Sequence, residues 1–443
     1  MNTNFKNIIT NSYLSKLEQV PILAYVLKWI FFSAIIGLFA GSFSAFFLIS
    51  LNSITEWRVS NTFIIWFLPL GGLIIGLIYY YFGSDVVRGN NQLFDEFHKP
   101  DKIIPFKMAP LILFGTLATH LFGGSAGREG TAVQMGGALA DQFTHLFKLK
   151  KRDRKIILIM GISAGFASVF GTPLAGALFA LEVLIIGRIR HDAILPSLLA
   201  AILGNYFCQL WGAHHIHYAI STVPALSVLT FSWTILAGIL FGLTALLFST
   251  SSQYWTLLFS KTISYPPLRP FVGGIFLTLY FLLSGSDKFL GLGVPVIVSS
   301  FNEQQEIWSF LIKLVLTTFT LGSGFKGGEV TPLFFIGATL GNALIWFIPL
   351  PMDLLAGMGF VAVFAGATNT PIACIFMGIE LFGADSAVYI SLAVVMAYLF
   401  SGHSGIYSSQ VIGSPKHSLF LRTKGKTLNE IDTQQKKSKK EAE

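Results

Sequence analysis

Residues 327–332 read GGEVTP and run straight into LFFIGATLGNALIWFIPL, while residues 127–137 read GREGTAVQMGG. Both stretches set a bare carboxylate, Glu329 or Glu129, among glycines at the entry to an apolar segment. The likeness goes further. A threonine follows two residues on and a glycine eight residues on, so that Glu129, Thr131 and Gly137 stand against Glu329, Thr331 and Gly337. A second pair, TPLAGALFALEV at 172–183 and TPIACIFMGIEL at 370–381, carries Glu182 and Glu380 nine residues after its proline. The offsets, 329 minus 129 and 371 minus 173, are 200 and 198. Two matched pairs in one order at nearly one offset mark two homologous halves, an architecture in which secondary transporters hold a substrate where broken helices meet. The spacing alone does not say whether the halves are inverted.

Of the 443 residues, 53% are hydrophobic and only 12% charged, which excludes an ordinary soluble domain and indicates an all-α polytopic membrane protein. The mean hydropathy of +0.67 agrees. Residues 29–51, 63–82, 157–186, 231–248 and 386–400 are apolar enough to cross or enter a hydrocarbon core of about 30 Å. Residues 111–122, 131–147 and 371–382 are interrupted by Gly, Pro or a charge and are expected as partial-depth helices buried against protein. The polar start, MNTNFKNIITNSYLSKLEQV, precedes an apolar segment too long for a signal peptide and is expected to stay in the mature chain. The net charge of +8 collects in KLKKRDRK at 148–155 and in a tail containing QQKKSKK, which places termini and basic loop in the cytoplasm. Four segments follow: a cytoplasmic N-terminal segment at 1–24, membrane repeats at 25–215 and 216–414, and a basic cytoplasmic tail at 415–443. Cys208 and Cys374 lie far apart in apolar surroundings and are expected as small buried residues.

Each carboxylate placed at membrane depth costs about 2.5 to 3.5 kcal/mol, so four glutamates need a reason. Glu182 and Glu380 sit late in equivalent helices, as buried hydrogen-bond partners or as a proton relay. Glu129 and Glu329 sit at helix starts, where unpaired N–H groups and the positive end of the macrodipole bind anions and glycine allows close approach. A carboxylate there competes with any anion, which makes Glu129 a candidate gate; the alternative is capping of its own helix. Arg128 is expected to pair with a carboxylate or carbonyl. In SDVVRGNNQLFDEF at 84–97, Gly89, Asn90 and Asn91 form either a turn or a donor set for a small anion, and Tyr407 in GIYSSQ adds a hydroxyl. His214, His215 and His217 of AHHIHY fall between apolar segments, as an exposed loop or, less readily, a metal site.

From about residue 25 to 415 these motifs resemble the CLC superfamily of anion channels and anion/proton antiporters. GREGTAVQMGG is similar to its GREGP segment, with Glu129 at the gating glutamate, GGEVTP falls where GxFxP is usual, and TPLAG and Tyr407 follow in the expected order. The resemblance implies a CLC-type fold of two inverted repeats with tilted, partly broken helices, and a homodimer with one pathway per subunit. The departures resemble the fluoride-transporting branch: RGNNQ replaces the GSGIP serine segment, and Glu329 is an added carboxylate associated there with proton coupling. Val183 occupies the place where chloride/proton exchangers carry an internal proton-transferring glutamate, which leaves Glu329 as the substitute.

The resulting expectation is a bacterial-type plasma-membrane fluoride/proton antiporter that needs no metal or cofactor. Glu129 serves as gate and proton carrier and Glu329 as second proton site. Backbone amides of Gly130 and Val330, with Asn90 or Asn91, Thr331 and Tyr407, provide the donors that replace fluoride's tightly held water; Asn90 is preferred over Asn91. The rival on the same fold is a chloride/proton antiporter or passive anion channel. A membrane enzyme would require a nucleophile and base, or a metal cluster, at membrane depth.

Overall fold

The computed structural model describes residues 19–216 and 218–434. In chain order the first half comprises α1 (Gln19–Ser60), α2 (Leu68–Phe82), α3 (Asn90–His98), α4 (Met108–Leu121), α5 (Glu129–Leu146), α6 (Lys151–Phe170), α7 (Pro173–Glu182) and α8 (Ile194–Leu210). The second half runs α9 (Val228–Thr262), α10 (Leu268–Ser284), α11 (Val294–Ser299), α12 (Ser309–Gly322), α13 (Val330–Ala343), α14 (Met352–Thr368), α15 (Pro371–Phe382) and α16 (Ala387–Phe400). Long helix answers long helix and short answers short, so the repeat seen in two motifs extends to the whole set.

Among the described residues four stretches are long and apolar enough to span a bilayer: 19–60, 62–82, 191–210 and 228–262. The expected span at 157–186 is broken. Gly171, with φ +82, ends α6, and Pro173 opens α7, because proline at the first helical turn sacrifices no hydrogen bond whereas further in it would. The segment at 191–210, which the sequence reading passed over, is long and apolar enough to span instead. The expected partial-depth segments form α4, α5 and α15; the 12 residues of α15 reach about 18 Å, well short of the hydrocarbon thickness. Residues 129–141 of α5 are all buried, as are 353–368 of α14, so these helices are enclosed by protein on every side.

Enclosure of that kind demands small residues where backbones cross. α5 meets α6 at Gly136 and Gly161, and α13 meets α14 at Gly337 and Gly359; in each pair an added Cβ would run into the facing carbonyl. Between the halves the contacts are reciprocal. Gly127 and Gly328 exchange both backbone hydrogen bonds, at 2.6 and 2.8 Å. Phe166 stacks on Phe364 with centroids 6.1 Å apart, and their numbers differ by the same 198 that relates the two Thr-Pro motifs. Residue i meeting j while j's equivalent meets i's is the signature of a two-fold axis. The repeats are therefore related by a two-fold axis through the centre of the fold, the arrangement expected of two inverted halves.

The ends are more integrated than their polarity suggests. α1 already starts at Gln19, inside the stretch read as an N-terminal segment. Strand β1 (Ile185–Ile186) pairs in parallel with β2 (Val411–Ile412), and Leu428 and Ile431 of the tail pack against them. Cys208 and Cys374 are free and buried, as expected. In the linker, His214 is exposed but His215 turns inward, its Nε2 2.9 Å from the Ser168 carbonyl; His217 lies outside the described residues.

Candidate functional site

Three helix starts converge where the halves meet. The Gly127–Gly328 bridge sets the first turns of α5 and α13 side by side. α3 comes in from the side: Gly89 takes φ +54, and the helix starts at Asn90. A Cβ built on Gly130 would lie 3.3 Å from Asn90 Nδ2, 3.1 Å from Gly328 Cα and 3.6 Å from Glu329 Oε2, so three of the expected site residues come together there. Each first turn leaves N–H groups without helical acceptors, and three of them pointing at one region create a positive locus without any cation.

Glu129 occupies part of it. Its side chain is fully buried, and its carboxylate accepts from the Thr331 N–H at 3.0 Å and from the Thr331 hydroxyl at 2.9 and 2.6 Å. The helix start that it caps therefore belongs to α13 of the other half, not to its own α5. Capping of its own helix, the alternative reading, is reduced to a 3.4 Å contact with the Arg128 amide. Arg128 does pair with a carboxylate, though only through Nε at 3.4 Å from Glu129. Thr331 thus gives both its amide and its hydroxyl to the Glu129 carboxylate.

At the starts of α3 and α13 lies a cavity of about 150 Å³ lined by Asn90, Asn91, Gln134, Lys326, Glu329 and Tyr407, among others. Asn90 is buried with Oδ1 lacking a partner among the described residues, whereas Asn91 Oδ1 accepts from the Ser409 amide at 3.0 Å. Asn91 is thus occupied with holding the 405–410 segment, and Asn90 is the asparagine whose side chain faces an unfilled polar space. Tyr407 stands edge-on to Phe94 at 5.1 Å, which fixes its ring at the cavity wall. Glu329 also borders an adjoining cavity of about 340 Å³ with Asn91, Ser408, Asn429 and Asp432. Two residues escaped the sequence reading: Gln134, and Lys326, whose ammonium lies 4.3 Å from the Tyr79 ring centroid. A lysine three residues before Glu329 in an apolar run was the available signal.

Glu182 and Glu380 stand apart from this centre and mirror each other. Glu182 accepts from the Ile372 and Ala373 amides at 3.1 and 2.9 Å, and Glu380 from Leu174 and Ala175 at 2.9 and 2.7 Å. Each caps the opposite half's short Thr-Pro helix with both oxygens, which supplies the buried hydrogen-bond role. Val183, beside Glu182, gives its carbonyl to Gln410 Nε2 at 2.8 Å.

Residues 71–402 match the family described as voltage gated chloride channel, and the chain belongs to that CLC family. It is 52% identical over 406 residues, 90% of each chain, to the chloride/fluoride channel protein of Pseudomonas syringae pv. tomato. Against the H(+)/Cl(-) exchange transporter ClcA of Vibrio cholerae identity is 26%, with 84% of each chain covered. Among solved structures it superposes on a CLC-type fluoride/proton antiporter with TM-score 0.85 at 35% identity, covering 89% of this chain and 99% of that one. A slow cyanobacterial Cl-/H+ antiporter shares the fold, with TM-score 0.74 at 19% identity. This is a membrane transporter of the CLC type.

Proposed function

We propose that the protein is a fluoride/proton antiporter, a transporter and not an enzyme, that exports fluoride from the cytoplasm on the proton gradient. The carrying observation is the Glu129 carboxylate clasped by the amide and hydroxyl of Thr331 at the start of α13. A site that satisfies one anion with these donors satisfies another, so carboxylate and fluoride exclude each other. Protonation makes Glu129 a weaker acceptor, releases it from the helix end and lets the anion take its place; deprotonation restores the plug. Fluoride and proton then move in opposite directions through one position.

Fluoride's small radius makes its water costly to remove, and several strong donors are needed to compensate. The amides of Gly130 and Val330, both groups of Thr331, Asn90 Nδ2 and the Tyr407 hydroxyl form that set, with Asn91 one layer behind. Glu329, at the wall of the 150 Å³ cavity, receives the proton after Glu129. Inside the cell fluoride accumulates because HF crosses membranes and ionises at neutral pH; an exchanger reverses this trap. The protein resides in a bacterial-type plasma membrane as a homodimer with one pathway per subunit. Its repeats span 25–215 and 216–414, and the N-terminal segment, the basic loop at 148–155 and the tail at 415–443 face the cytoplasm.

The test is reconstitution in liposomes loaded with fluoride, with an ion-selective electrode and an internal pH dye recorded together. An inward proton gradient is expected to drive fluoride out beyond equilibrium with matched acidification of the liposome interior, whereas escape as HF would alkalinise it. Fluoride release without proton movement, or preference for chloride, defeats the proposal in favour of a channel or chloride exchanger on this fold.

A further inference from the structure

Arg128, next to Glu129 in the chain, borders a further cavity. It measures about 490 Å³ and is lined by Asn52, Thr55, Arg58, Arg128, Asp287, Lys288 and the 290–296 segment. The two-fold axis relates it to the Asn90 cavity: Gly293, with φ +74, precedes α11 as Gly89 precedes α3, and Arg128 stands beside Glu129 as Gly328 stands beside Glu329.

Its chemistry is that of a cation holder without its anion. Arg58 is only 4% exposed, yet neither its Nε nor its Nη1 finds an acceptor among the described residues. The guanidinium lies against Gly291, where an added Cβ would come within 2.8 Å of Nη1. Beneath the same loop Lys313, fully buried, donates to the carbonyls of Phe289 and Gly291 at 3.1 and 2.7 Å, with no carboxylate in ion-pair range among the described residues. Lys288 is engaged with Glu306 at 3.1 Å, and Asp287 lines the cavity without forming an ion pair with Arg58. Of the charged groups that line the cavity, Arg128 is paired with Glu129 and Lys288 with Glu306, which leaves the Arg58 guanidinium without an ion pair among the described residues, and a guanidinium held out of water in this way is costly enough to demand a counter-charge.

We propose that this cavity is an anion site of its own, in which Arg58 and Arg128 hold a small monovalent inorganic anion before it reaches, or after it leaves, the Thr331 position. The transport role of this site rests on the exchanger reading, but its occupancy does not.

The experiment therefore has two arms. Crystals of the full-length protein grown in sodium bromide are expected to show an anomalous peak within about 4 Å of the Arg58 guanidinium, absent in Arg58→Gln and kept in Arg58→Lys. A peak that survives Arg58→Gln marks an adventitious ion only; a lipid phosphate in the cavity, or no peak there, overturns the proposal. In liposomes, Arg58→Gln is expected to raise half-saturating fluoride about tenfold from the side this cavity faces, with the maximal rate kept within about twofold. An unchanged half-saturation removes the site from the pathway. Should Arg58→Gln not fold, Lys288→Glu and Asp287→Asn must move bromide binding in opposite directions, weaker and tighter; a shared direction overturns the proposal. If the wild type moves no fluoride but the bromide peak stands, the exchanger reading fails and the anion site remains.

Discussion

Glu129 and Glu329 begin equivalent helices, both beside glycine and both two residues before threonine, and the structure treats them differently. Glu129 reaches across the axis and is held by Thr331. The symmetric bond, from Glu329 to Thr131, is not made: Thr131 Oγ1 is committed to Thr116 Oγ1 at 2.7 Å, and Glu329 borders the Asn90 cavity instead. The cause lies one layer back. In the second half Thr317 is paired with Ser125 at 2.9 Å, but the residue equivalent to Ser125 is Phe325, which has no hydroxyl to offer Thr116, so Thr116 bonds to Thr131 instead. One backbone frame built twice thus carries one plugged helix start and one open one. Strict two-fold symmetry would leave the two carboxylates equivalent; the side chains break it, so that one is clasped across the axis and the other borders a cavity, the difference on which the proposed division into gate and proton acceptor rests.

The difference between the two glutamates is best broken first at Glu129. Glu129→Gln is expected to abolish proton-driven fluoride movement, by about 100-fold or more, the loss equivalent to about 2.7 kcal/mol that follows when the group which must change charge cannot. Retained pH-driven exchange in liposomes would falsify the gate. Glu329→Gln comes next: proton flux is expected to fall about tenfold or more while fluoride binding by calorimetry stays near wild type, since Glu329 lines the route without touching Thr331. Equal loss of binding and flux would place Glu329 in the anion site itself. Thr331→Val removes the hydroxyl but keeps the amide, and loss of one charge-assisted hydrogen bond of about 1.5 to 3 kcal/mol weakens fluoride affinity by about one to two orders of magnitude. Affinity within twofold of wild type would show that the amides suffice. The smallest effect separates the two asparagines. Asn90→Ala is expected to weaken fluoride binding about fivefold with unchanged thermal stability, whereas Asn91→Ala lowers stability by about 1 kcal/mol through the lost Ser409 bond; the reverse pattern exchanges their roles.

Much of this was legible from residue types and spacing. Apolar composition announced the membrane, the repeated GxE and Thr-Pro segments announced two halves, and the resemblance to CLC motifs named Glu129, Glu329, Asn90, Thr331 and Tyr407, all of which lie at the meeting of the halves. What misled was hydropathy taken without its punctuation. Residues 157–186 read as one span because their average is apolar, yet Gly171 and Pro173 divide them, and the break is what presents the α7 helix start to Glu380. The 191–210 span was passed over because His191 and Asp192 at its head and Asn205 and Gln209 within it dilute the apolar signal.

The sequence by itself determined the solvent, the repeat and the identity of the acidic groups, because transfer energies and helix-start preferences are local properties of residues. It left open whose helix each glutamate serves. Glu129 caps α13, Glu182 caps α15 and Glu380 caps α7, always across the axis, and no local spacing encodes a bond between residues some two hundred positions apart. Only packing decides that, because a short buried helix cannot satisfy its own first N–H groups, and the inverted repeat brings to each of these helix ends the carboxylate of its counterpart.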